Sequence, residues 1–263
     1  VVIFLAAFLL FLVEPIAAKQ LVPILGGSAA VWITCLVFFQ TALLCAYAYA
    51  HWIARGVRWI LHLLLLAVAV GFAQVWAFRS IDLSNGPQHP VATIFFALTL
   101  WIGLPFIALG ASSPLLQYWW SRVEAGPIPY RLFALSNLAS LLALAAYPVW
   151  IEPRFTLHDQ RVAWFWGFVG FAVLAAGLTL RSRSSIQTAP LPAVADLESA
   201  PASSAAHKWL WFLLPMGASM QLAAITSFIT ANIAAIPLLW ILPLAVYLLT
   251  IILAFEFPRL LPP

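Results

Sequence analysis

The stretch VVIFLAAFLLFLVEPIAAKQLVPIL, residues 1–25, decides the fold. A helix needs ~20 predominantly apolar residues to cross a bilayer, and this run supplies them. Inside it stand an acid and a helix breaker, Glu14-Pro15, followed by Lys19. A charged side chain near the bilayer middle costs ~2.5–3.5 kcal/mol on insertion scales, so such residues face a bundle interior or a wet cavity. The pattern implies a polytopic membrane protein with at least one polar interior site. It does not identify a solute.

Composition extends that reading to the whole chain. Of 263 residues, 65% are apolar and only 8% charged, with 13 Trp and 19 Phe. Soluble domains carry about 45–50% apolar residues, so an ordinary soluble fold is excluded. The first run is too long for the apolar core of a signal peptide and lacks a small-residue cleavage site. The chain begins without Met, so further N-terminal sequence is expected upstream. Cys35 and Cys45 lie ten residues apart on one expected helix, unsuited to a bridge or a metal set. A sequence pI near 9.4 could suggest nucleic acid, but the basic residues sit at helix ends rather than in one patch.

Eight segments read as spanning helices, roughly 1–25, 29–53, 57–78, 91–120, 130–150, 161–181, 207–233 and 236–257. Trp and Tyr gather at their ends as interfacial belts do, and Ser28 is placed to cap the second helix. Orientation follows from Lys and Arg. One side holds Arg55, Arg58, Arg122, Arg131, Arg181, Arg183, Lys208 and Arg259, and the other holds Lys19, Arg79, Arg154 and Arg161. Both ends are therefore expected in the cytoplasm. The fold class expected is an all-α transmembrane bundle: six helices over 1–181, a flexible cytoplasmic linker rich in Ser, Ala and Pro over 182–206, and two further helices over 207–263. Six helices, a linker and a new group is the layout of a transporter built from two six-helix halves. Trp32-Ile33 with Phe39 and Trp240-Ile241 with Tyr247 form a weak internal echo of such a repeat. On that reading helices nine to twelve are absent from this chain.

Several runs carry a resemblance. Glu14-Pro15, Gly26-Gly27-Ser28, Ala30-Val31-Trp32, Phe39-Gln40, Tyr47-Ala48-Tyr49-Ala50-His51, Ser112-Ser113-Pro114-Leu115-Leu116-Gln117, Pro129-Tyr130-Arg131-Leu132, Ala134-Leu135-Ser136-Asn137-Leu138, Glu152-Pro153 and the run from Asn232 to Trp240 resemble the membrane region of bacterial fused major-facilitator-like transporter/spermidine-synthase-like proteins. The resemblance implies a multi-pass inner-membrane region that precedes a soluble aminopropyltransferase-like domain. This chain has no Gly-rich nucleoside loop and no acidic pair on a soluble sheet, so no catalytic residue is expected here.

Glu14 leads the candidates. Pro15 removes a backbone donor and frees the Phe11 carbonyl, which sets an acid and a loose acceptor one turn apart, a pairing suited to a proton or cation. Alternatively, Glu14 bonds a neighbouring helix and fixes packing. Lys19, about 140° round the helix, is not placed to pair with it. Asn137, between Ser136 and Ser140, lines a cavity or glues helices together. Gly103, Pro105, Gly110 and Ser112-Ser113-Pro114 predict a broken or bent fourth helix, with Gln117 the polar side chain nearest the break. Ser219, Ala223, Ser227 and Ala231, spaced by four, predict a packing face, while Gln221, Thr226 and Asn232 lie off it. Among the histidines His62 falls within a helix, where a helix-end hydrogen bond is expected, and Arg154, His158, Asp159 and Arg161 read as a solvated outer loop.

The solute-binding set expected is Glu14, Gln117, Asn137 and Asn232, with no metal or cofactor. The expected partners are the bilayer, a small cationic, amine-like solute and further membrane subunits, with no nucleic acid. The rival function is a non-transporting anchor or scaffold of a larger complex. A transporter predicts the set converging on one wet cavity; a scaffold predicts a dry interior and an apolar outer face.

Overall fold

A computed structural model describes residues 1–56, 59–79, 88–123, 131–188, 205–232 and 241–256, and among them every regular element is a helix. We number the helices in chain order. α1 is Val2–Leu25, α2 Ala29–Gly56 and α3 Trp59–Phe78. α4 joins Pro90–Leu98, a π-turn at Thr99–Gly103 and Leu104–Val123. α5 joins Arg131–Ala146, a π-turn at Tyr147–Ile151 and Glu152–Arg154. α6 is Leu157–Thr188, α7 Ala205–Asn232 and α8 Ile241–Glu256. Seven of the eight are long and apolar enough to span a bilayer, and α8 has a shorter apolar stretch, Ile241–Leu253. The all-α membrane bundle expected from the sequence is the fold observed. The linker expected at 182–206 overlaps the end of α6, and its residues 189–204 lie outside those described.

Prolines explain where the helices deviate. A proline in mid-helix leaves the carbonyl four residues back without its donor. Pro105 removes the donor that the Trp101 carbonyl would take, and the π-turn at Thr99–Gly103 forms there. The deviation in α4 thus precedes Pro105, while Pro114 is absorbed within the α-helical Leu104–Val123. Pro148 lies within the π-turn of α5 and Pro153 just after it, and the Arg154 guanidinium donates to the Val149 and Trp150 carbonyls at 3.2 and 3.3 Å. Arg154 therefore serves the carbonyl that Pro153 leaves free. The region read as an outer loop is the start of a helix: the Asp159 amide donates to the Thr156 hydroxyl at 3.2 Å, and that hydroxyl donates to the Asp159 carboxylate at 2.6 Å. This reciprocal cap begins α6 at Leu157, earlier than apolarity alone suggested.

α1 is the hub and packs against α4, α5 and α6. Its Val13, Ala17 and Leu21 are fully buried. Apolar side chains gain little by leaving lipid for a bundle, so close packing and interhelical hydrogen bonds must hold the helices together. Gly110 supplies the closest approach. A Cβ there would stand 2.9 Å from Ala46 Cβ of α2, 3.2 Å from Leu43 Cδ1 and 3.5 Å from Leu10 Cδ1 of α1. On the opposite flank a Cβ at Gly167 would meet Leu9 Cδ2 at 3.0 Å, and Trp164 Nε1 donates to the Leu9 carbonyl at 2.8 Å. Trp76, Trp164 and Phe168 continue this seam by edge and stacked contacts at 5.4 and 5.3 Å.

The last two helices sit differently. α8 packs on α5, whereas α7 rests on α2 and α8, and only 6% of its apolar window is buried. Ser219, Ala223 and Ser227 are exposed along α7, so the packing face expected there is uncovered, and the side chain of Ala231 lies outside the description.

Gly110→Val should lower the unfolding temperature in mild detergent, since overpacking a tight site costs about 1–3 kcal/mol. Gly170→Ala, where an added Cβ meets nothing within 4 Å, should leave it unchanged or raise it. Equal melting of both variants and the native protein would contradict the close approach.

Candidate functional site

Glu14 lies midway along α1 and is 6% exposed, amid the fully buried Val13, Ala17 and Leu21. Among the described residues it makes no hydrogen bond or ion pair, and Pro15 beside it has no N–H to offer. Its direction follows from helical geometry. Leu10, one turn earlier and about 40° away, touches the Gly110 position of α4, so Glu14 occupies the flank of α1 turned towards α4. Lys19 is about 140° from Glu14 and faces α5 instead. Its ammonium donates to Glu152 Oε1 at 2.5 Å, the one ion pair among the described residues.

These contacts set the levels of the other candidates. Gln117 lies seven residues beyond Gly110 on the antiparallel α4, and Glu14 lies four beyond Leu10 the other way. The two are therefore about 16 Å apart along the axes. Asn137 precedes Glu152 by fifteen residues, and Glu14 precedes Lys19 by five. On these parallel helices that gives an axial separation of about 15 Å. Gln117 and Asn137 thus share a level near the opposite end of the bundle from Lys19. Gln117 is 5% exposed and donates to Ser113 Oγ at 3.1 Å. Asn137 donates to the Phe133 carbonyl at 2.9 Å, and Asn232, exposed at the end of α7, to the Phe228 carbonyl at 2.8 Å. The geometry does not bring these four residues together.

The described charges and several polar contacts instead gather in two end layers, and Glu14 is the one described charge between them. One layer comprises the Lys19–Glu152 pair, Trp76 Nε1 donating to Gln20 Oε1 at 2.9 Å, and Arg161 Nη1 donating to the Trp76 carbonyl at 3.3 Å. Tyr147, fully buried in the nearby π-turn, carries a hydroxyl without a partner. The other layer centres on His62, which is 2% exposed, with Tyr49 Oη 3.4 Å from its Nδ1 and the Trp119 ring edge-on at 5.9 Å. Sequence placed His62 near a helix end but not its burial between two aromatic rings of α2 and α4. Thr226, 4% exposed, lines a crevice of about 60 Å³ with Gln40, Leu222 and Leu244. No three His, Cys, Asp or Glu side chains come together as metal ligands among the described residues.

Seven helices of spanning length around a buried core make this a helical bundle of the membrane-protein class. Comparison with protein-family models, curated proteins and solved structures found no match.

The Lys19–Glu152 pair is about one-third exposed on both sides, and exposed ion pairs contribute about 0–1 kcal/mol. A double-mutant cycle of Lys19→Gln and Glu152→Gln, read by thermal unfolding in detergent, should therefore give a coupling within that range. A coupling several times larger would mark the pair as a main tie between α1 and α5.

Proposed function

We propose that the chain is a transporter-like membrane domain in which Glu14 is the ionisable centre, meeting a proton or a small cationic, amine-like solute. The supporting observation is the lone burial of Glu14. An acid deep in a spanning helix, enclosed by apolar side chains and without a described partner, adds nothing to packing that an apolar residue would not supply better. A carboxylate there attracts a cation, and the Phe11 carbonyl freed by Pro15 adds an acceptor about one turn back along α1. Solute reaches Glu14 when α1 parts from α4, and Pro15 and the π-turn of α4 are where those helices bend most readily. Both ends face the cytoplasm of a bacterial inner membrane, as the distribution of Lys and Arg and the family resemblance suggest. An aminopropyltransferase-like domain accompanies the region in that family, and any group transfer belongs to it.

A second reading, an anchor or scaffold for other membrane subunits, is favoured by α7, whose apolar surface is almost wholly uncovered. Reconstitution into proteoliposomes separates the two. Uptake of labelled putrescine or spermidine by the native protein should fall at least about tenfold in Glu14→Gln, equivalent to about 1.4 kcal/mol. Equal uptake by both, or uptake by neither, would remove the case for Glu14 as a transport residue and leave the scaffold.

A further inference from the structure

Arg161 stands four residues into α6 and faces the end of α3, where its Nη1 donates to the Trp76 carbonyl. That single bond leaves most of the guanidinium's five donors unused, and Nε is buried without a partner. No described carboxylate neutralises it, because the only ion pair among the described residues joins Lys19 to Glu152. Asp159 is two residues away, about 200° round the helix, and its carboxylate accepts from Thr156. Arg79, three residues after Trp76, likewise has no described carboxylate partner. Arg161 thus bridges α6 to the end of α3, Arg79 follows that contact by three residues in the chain, and neither has a counter-ion among the described residues. A partly buried guanidinium at a membrane boundary is expected to find an anion.

Depth narrows the anion. Arg161 lies about 6 Å inside the start of α6, and Trp76 about 3 Å inside the end of α3. Both therefore sit in the headgroup zone, which adds about 5–7 Å to each side of the hydrocarbon core. Phe165, one turn beyond Arg161 on the same side of α6, is edge-on at 5.5 Å to Phe78 of α3, which is 51% exposed, so apolar surface adjoins the cation. A phosphate bearing acyl chains satisfies both features at once, whereas free phosphate satisfies only the first. We propose that Arg161, assisted by Arg79, holds the phosphate of a phospholipid headgroup where the start of α6 meets the end of α3. The planar fork of Arg161 donates to two phosphate oxygens while the chains lie against Phe78.

Native mass spectrometry of the detergent-purified protein tests this, with phosphatidylglycerol titrated against diacylglycerol, which shares the chains but lacks phosphate. The native protein should retain phosphatidylglycerol and not diacylglycerol. Arg161→Gln should bind about tenfold more weakly, in line with the loss of a charge-assisted hydrogen bond. Arg161→Lys, which keeps the charge and loses the fork, should fall between. Arg79→Gln should weaken retention less. Equal retention by native protein and Arg161→Gln would overturn the site. If Arg161→Gln fails to fold, unchanged retention in both Arg161→Lys and Arg79→Gln overturns it instead. Displacement of the lipid by millimolar inorganic phosphate would refute the lipid assignment in favour of a free-anion site.

Discussion

Inside a bilayer no water replaces a lost backbone hydrogen bond, and the shape of this bundle depends on how it meets that constraint. Five of its helices contain proline, and the responses at three of these sites differ. At Pro105 the chain widens into a π-turn; at Pro153 the Arg154 guanidinium serves the exposed carbonyls. At Pro15 the described residues supply no side-chain donor near Glu14. The two π-turns fall in α4 and α5, the helices that flank α1 on opposite sides. Departures from ideal helix are thus gathered around the helix that carries the buried acid.

Close approach does the rest. Gly110 lets α4 settle on α1 and α2, and Gly167 lets α6 settle on Leu9. These contacts place Glu14 beside α4, at mid-depth and away from every other charge described. The same contacts bring Lys19 to Glu152 and Arg161 to the end of α3. Charges with a partner or a headgroup within reach therefore collect at the ends of the bundle, as desolvation cost requires. Glu14 is the exception, and a structural role alone gives little reason for an unpaired acid at that depth.

The outer helices follow another logic. α7 leans on α2 and α8 over a small part of its surface, and its small-residue stripe is uncovered. In lipid that exposure costs little, because acyl chains solvate Leu and Phe as well as a protein interior does. An exposed apolar face is thus compatible with a lipid boundary and with a further membrane subunit alike.

Local chemistry made the membrane helices legible without coordinates. Runs of apolar residues and interfacial Trp each act within one segment, and the observed helices follow the expected segments, except that α6 starts earlier at its cap and runs on to Thr188. The start of α6 was hidden because Thr156 and Asp159 look like loop residues until their mutual bond is seen. Glu14 stood out because a lone acid among apolar neighbours is visible in one dimension. Which candidates meet is another matter, since that depends on the register between helices. Register is set by single close contacts such as Leu10 with Gly110, whose partners lie a hundred residues apart. Gln117, Asn137 and Asn232 are polar in the sequence for the same apparent reason as Glu14, yet each bonds within its own helix. The burial of His62 and the pairing of Lys19 were likewise decided by tertiary packing, because a side chain's surroundings in a bundle come from other helices.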